Sequence, residues 1–143
     1  MSDSSNDELR RLGRLAGTWK VTGGATGTTT YEWLDGGYFL IQRGVLDHDG
    51  HRVSMTEIIG REHLFGEEPG VEIKARAYDA DGNTLDYVYE LDGDTLTIWG
   101  GFKGSPGYFR GEFDGPADQV GDRLVGDWVY PGGGYHAEME RIA

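Results

Sequence analysis

Gly17-Thr18-Trp19-Lys20-Val21-Thr22-Gly23 is where the chain changes period. Before it, Leu9, Leu12 and Leu15 stand three apart, and Asp7 and Glu8 suit the first turn of a helix. The spacing predicts a short helix over 7–15, preceded by a polar stretch, 1–6, expected to be disordered. After it, apolar and polar residues alternate in the period of a half-buried strand. At the far end, Arg141 lies on the last such run and is the expected partner of Trp19. A tryptophan on the first strand and an arginine on the last imply a sheet closed on itself, with the two ends of the chain packed at the seam.

The runs between them are short and separated by turn signals. They are 18–23, 28–34, 38–46, 52–60, 71–79, 84–91, 95–100, 108–113, 123–130 and 135–142. Asp35-Gly36-Gly37, Asp49-Gly50, Asp81-Gly82, Asp92-Gly93 and Pro131-Gly132 mark tight hairpins. The run 71–79 sets Val71, Ile73, Ala75 and Ala77 against Glu72, Lys74, Arg76 and Tyr78, so one face of the sheet meets water. The expected fold is all-β: an up-and-down antiparallel barrel of about ten strands with a short N-terminal helix. With 143 residues, 1–143 reads as a single domain.

Composition narrows the partners. A net charge of −12 disfavours nucleic acid and anionic membrane surfaces. The chain has no cysteine, which excludes disulfides and thiolate metal sites. Its longest apolar stretches, such as Tyr38-Phe39-Leu40-Ile41, fall far short of the roughly 20 residues that span a bilayer as a helix. With no signal-like N-terminus, the expectation is a cytoplasmic monomer or homodimer that takes a small hydrophobic molecule and no nucleic acid or membrane.

The quoted residues resemble a known signature. Gly17-Thr18-Trp19 with Arg141 is similar to the calycin pattern of lipocalins, fatty-acid-binding proteins and nitrobindins, in which the tryptophan closes the barrel floor and the arginine lies across it. Tyr31-Glu32-Trp33-Leu34, Gly36-Gly37-Tyr38-Phe39-Leu40-Ile41-Gln42-Arg43 and Glu57-Ile58-Ile59-Gly60 resemble a bacterial lipocalin-like family of unknown function. So do 78–82, 97–99, 111–113 and 126–128. The resemblance spans roughly 12–142 and implies a barrel enclosing a ligand cavity, without implying a reaction. It departs at Tyr108, where that family often carries an arginine.

Alternation puts Trp19, Tyr31, Trp33, Val71, Ile73, Ala75, Ala77, Tyr87, Tyr89, Ile98, Phe109, Phe113, Trp128 and Met139 inside. Candidate ligand-binding residues are Tyr31, Trp33, Gln42, Glu57, Tyr87, Tyr89, Phe109 and Trp128; Trp19 and Arg141 are structural. The parity of the strands carrying Gln42 and Glu57 is open. Inward, Gln42 is a polar anchor and Glu57 a desolvated carboxylate and candidate general base. Outward, Arg43 or Ser54, Thr56 and Ile58 take those places.

The preferred function is binding of a small apolar or aromatic molecule. The alternative is an acid/base enzyme, of isomerase or cyclase type, acting on an enclosed hydrophobic substrate. The resemblance to nitrobindins adds haem, held by His136, as the one cofactor it implies. Alternation from an inward Arg141 brings Met139, Ala137 and Tyr135 inward and turns His136 outward, against that third possibility. His48 and His51 flank a hairpin tip, where exposed turn residues are the expected reading, and His63 is a candidate for lining a barrel mouth.

Overall fold

Ten strands form one closed antiparallel barrel in the computed structural model, which describes residues 4–143. A helix, α1 (Ser4–Arg11), and a 3-10 turn (Leu12–Leu15) lead into β1 (Gly17–Gly23), β2 (Ala25–Trp33), β3 (Phe39–His48), β4 (His51–Arg61) and β5 (Ile73–Asp79). Then come β6 (Thr84–Asp92), β7 (Thr95–Gly100), β8 (Tyr108–Phe113), β9 (Arg123–Tyr130) and β10 (Gly133–Arg141). Each strand pairs with its neighbours in sequence, and β1 pairs with β10, so no edge remains unpaired. The helix begins three residues before Asp7. Of the stretch 1–6 expected to be disordered, 4–6 therefore belong to α1, and 1–3 lie outside the described residues.

Turn chemistry sets the register. Asp49 and Gly50 both have positive φ (50° and 78°), the geometry of a two-residue hairpin turn whose twist matches the strands it joins. That turn pairs His48 with His51, and so places Leu40 opposite Ile59 and Gln42 opposite Glu57. In β1 and β2, Trp19 stands opposite Thr29 and Gly17 opposite Tyr31.

Two strands begin later than their sequence pattern suggests. Val71 is exposed and outside the ladder, which β5 enters only at Ile73, opposite Arg61. The preceding loop closes on itself first: Gly70 N–H donates to the Glu62 carbonyl at 2.7 Å, and Arg61 Nε donates to the Gly70 carbonyl at 2.8 Å. Tyr38 is likewise exposed beside Gly36 and Gly37, and β3 starts one residue later.

The helical end of the barrel is its floor. Leu9, Leu12 and Leu15 are buried and join the barrel core. Trp19 is fully buried, and its Nε1 donates to the Leu15 carbonyl at 2.7 Å. The Arg141 guanidinium lies 4.5 Å from the Trp19 ring centroid and donates to the carbonyls of Arg14 and Ala16. Arg14 makes a two-pronged bond to the fully buried Asp122, both contacts at 2.9 Å, and Asp122 accepts the Arg141 backbone N–H at 2.8 Å. Gly17 has a φ of 134°, and a Cβ there would lie 2.2 Å from Arg141 Nη1, so glycine is required where the guanidinium crosses the seam.

Replacing Arg141 with alanine takes the donors from the part-buried carbonyls of Arg14 and Ala16 and uncovers Trp19. The expected loss is about 3 kcal/mol, or roughly 8–12 °C in thermal midpoint. Thermal denaturation followed by circular dichroism checks this, and an unchanged midpoint contradicts the role given to the arginine.

Candidate functional site

Above the Trp19 floor the barrel holds a cavity of about 190 Å³. Inward-facing residues of β2, β3 and β4 supply its polar wall. Tyr31 stands opposite Gln42, and Gln42 opposite Glu57, so the three form one row across three strands. Glu57 is 3% exposed and Gln42 7% exposed. Both open parities are thus resolved inward, while Arg43, Ser54, Thr56 and Ile58 belong to the other face.

Hydrogen bonds tie the row to its neighbours. The Tyr89 hydroxyl donates to Glu57 Oε1 at 2.8 Å, and Gln42 Nε2 donates to the Thr29 hydroxyl oxygen at 2.8 Å. Thr29 donates in turn to the Arg43 carbonyl at 3.3 Å. The Tyr31 hydroxyl lies beside the Gln42 amide. Burial pushes the Glu57 carboxyl up to about 7, and the bond from Tyr89 only partly opposes it. Burial, reinforced by the Glu57 charge, also raises Tyr31 and Tyr89 and pushes Tyr87 up to about 12, so the phenols stay protonated.

An apolar wall faces this row. Glu57 is on β4 and Trp128 on β9, five strands apart in a closed ring of ten. Trp128 packs against Phe109 with ring centroids 5.5 Å apart and against Tyr87 at 6.2 Å. Val21, Ala25, Leu46, Met55, Leu96, Ile98, Leu124, Tyr135, Ala137 and Met139 complete the lining.

Of the candidate residues, Tyr31, Gln42, Glu57, Tyr87, Tyr89, Phe109 and Trp128 line one cavity. Trp33 does not. It lies a turn nearer the floor and packs under the 3-10 turn, where a Cβ on Gly13 would sit 3.0 Å from its ring. Thr29 was missing from the candidates, although its alternation with Tyr31 places it inside. Its hydroxyl fixes Gln42, a role that no motif signals.

The histidines lie elsewhere. His136 is on the outer face of β10, with Nδ1 3.0 Å from Asp127 and Nε2 2.9 Å from Glu138. Those bonds, first to Glu138 and then to Asp127, raise its pKa. Both ring nitrogens are held outside the barrel, so this residue does not fit as an axial ligand for haem in the interior. His63 is exposed on the β4–β5 loop at the floor end and does not line a mouth. At the open end, His48 contacts the Gly24 carbonyl at 2.8 Å and His51 contacts Asp81 at 2.9 Å. No group of three or more metal-ligating side chains occurs among the described residues. No helix among them is long and apolar enough to cross a membrane. No protein-family model matches the chain, and no curated protein is significantly similar to it in sequence.

The Glu57 carboxyl links stability to pH. Its folded pKa of about 7 lies above the ordinary value of 4.5. Its stabilising contribution is therefore complete below about pH 4.5 and is lost as pH rises through about 7. Glu57→Gln removes that loss. The stability of the variant relative to the parent is expected to rise by about 3 kcal/mol between those values and to level off above them. Denaturant unfolding across pH 4–8 checks this; a flat difference contradicts a buried, proton-holding Glu57.

Proposed function

We propose that the protein binds a small, mostly apolar ring compound inside the barrel, with its polar group against the row of Glu57, Gln42 and Tyr31. The carrying observation is the asymmetry of the cavity: one hydrogen-bonded polar row faces a wall of Trp128, Phe109 and Tyr87. A site of this composition orients a ligand by a few polar groups and gains affinity from apolar burial. Its volume lies below the range of about 300–1,000 Å³ typical of drug-sized ligands, which favours a single or fused ring over a long acyl chain. The Trp19–Arg141 closure supports kinship with the calycin-type barrels.

A second reading rests on Glu57 itself. A carboxyl balanced near neutral pH and bonded to a phenol suits general acid/base catalysis on an enclosed hydrophobic substrate. In an isomerase- or cyclase-type reaction, Glu57 would take and return a proton while a tyrosine hydroxyl holds a developing oxyanion. Glu57→Gln would then abolish turnover of a bound substrate and leave its affinity largely intact. Equal loss of both would favour binding alone.

The binding reading is tested with indole as the probe. Calorimetric titration is expected to show saturable binding at one site per chain. Ala137→Leu, which places added bulk in the cavity, is expected to weaken binding at least tenfold while circular dichroism shows the barrel intact. If indole and similar single-ring or fused-ring compounds show no saturable binding, or if Ala137→Leu leaves binding unchanged, the cavity is not the site.

A further inference from the structure

The donors and acceptors of the cavity are unequally occupied. The Tyr89 hydroxyl hydrogen is held by Glu57 Oε1, a Gln42 amide hydrogen by Thr29, and the Thr29 hydroxyl hydrogen by the Arg43 carbonyl. Glu57 Oε2, by contrast, accepts no hydrogen bond from the described residues. A ligand group that needs to accept a hydrogen bond finds the hydrogens of Tyr89 and Thr29 already engaged and is left the hydroxyls of Tyr31, Tyr87 and Tyr135 and the second Gln42 amide hydrogen. When Glu57 is ionised, a group that donates finds its Oε2 open.

The charges point the same way. No lysine, arginine or histidine is among the lining residues, and Glu57 is the one carboxyl. The floor arginines, Arg14 and Arg141, are engaged by Asp122 and by the backbone, and they do not face the cavity. A carboxylate-bearing lipid would have no cation to meet and would lie against Glu57. The net charge of −12 opposes its approach as well.

The remaining lining suits a cation. Tyr31, Tyr87, Tyr89, Phe109, Trp128 and Tyr135 present six aromatic rings to a cavity of about 190 Å³. Ring faces attract ammonium groups, most strongly where water is excluded. An ammonium brings three donors and no acceptor, and Glu57 Oε2 can take one of them. Burying it is costly unless it is paired, and Glu57 supplies the pair.

We infer that the ligand is a small arylalkylamine in its ammonium form, with the nitrogen at Glu57 Oε2 and the ring against Trp128 and Phe109. The inference deepens the binding proposal above and rests on it.

Three probes of matched shape separate the possibilities by calorimetry at pH 7.5: 2-phenylethylamine, 2-phenylethanol and phenylacetate. The amine is expected to bind at least tenfold more tightly than the alcohol, and phenylacetate not to bind measurably. Glu57→Gln is expected to bring the amine down to the level of the alcohol while leaving the alcohol within about threefold. A thermal melt of that variant shows that it is folded. If the alcohol or phenylacetate binds as well as the amine, the amine assignment is overturned and the binding proposal stands. Retained amine affinity in Glu57→Gln overturns it too. If neither these probes nor indole bind, both proposals fail together.

Discussion

The structure depends on a guanidinium held against an indole. Arg141 lies over Trp19 at the floor and ties together the end of the 3-10 turn, the start of β1 and the end of β10. Asp122 extends the tie to the β8–β9 loop through Arg14. A ten-stranded ring gains from closure because no edge is left unpaired, but its first and last strands are the most distant in sequence. This cluster compensates for that separation by burying polar groups that are satisfied chiefly by one another. It also leaves the middle of the barrel free of any need to be filled.

That freedom gives the site its character. With the floor carried by Trp19, Phe113 and the leucines of the helical segment, the inward positions above it hold small residues beside large rings. Glu57 is tolerated there because Tyr89 donates to it and because near neutral pH it can hold its proton. A buried carboxyl is a cost to the empty barrel as pH rises. A cation bound beside it would offset that cost, linking the stability of the fold to occupancy of the cavity.

Much of the architecture was legible in the sequence, for reasons visible in particular residues. Alternation survives in β5 and β8 because one face meets water: Lys74 and Arg76 against Ala75 and Ala77, Arg110 and Glu112 against Phe109 and Phe113. It failed to settle β3 and β4 because Ile41 and Ile58, on the outer face, are as apolar as their inward neighbours Leu40 and Ile59. The missing information was register. An inward Trp19 fixes Thr29 and with it Tyr31, and the turn at Asp49-Gly50 then carries the parity from Gln42 to Glu57. Trp33 and Val71 depended on where strands meet helix and loop, which periodicity alone does not encode.

The central claim is that the interior is an open site rather than a filled core. Of the three methionines in the sequence, Met55 and Met139 line the cavity. Their ε-methyl groups, labelled with carbon-13, report directly on its contents. Titration with 2-phenylethylamine, followed by NMR, is predicted to shift both signals together along one saturable curve. Signals from Met55 and Met139 that stay fixed through the titration would contradict the account.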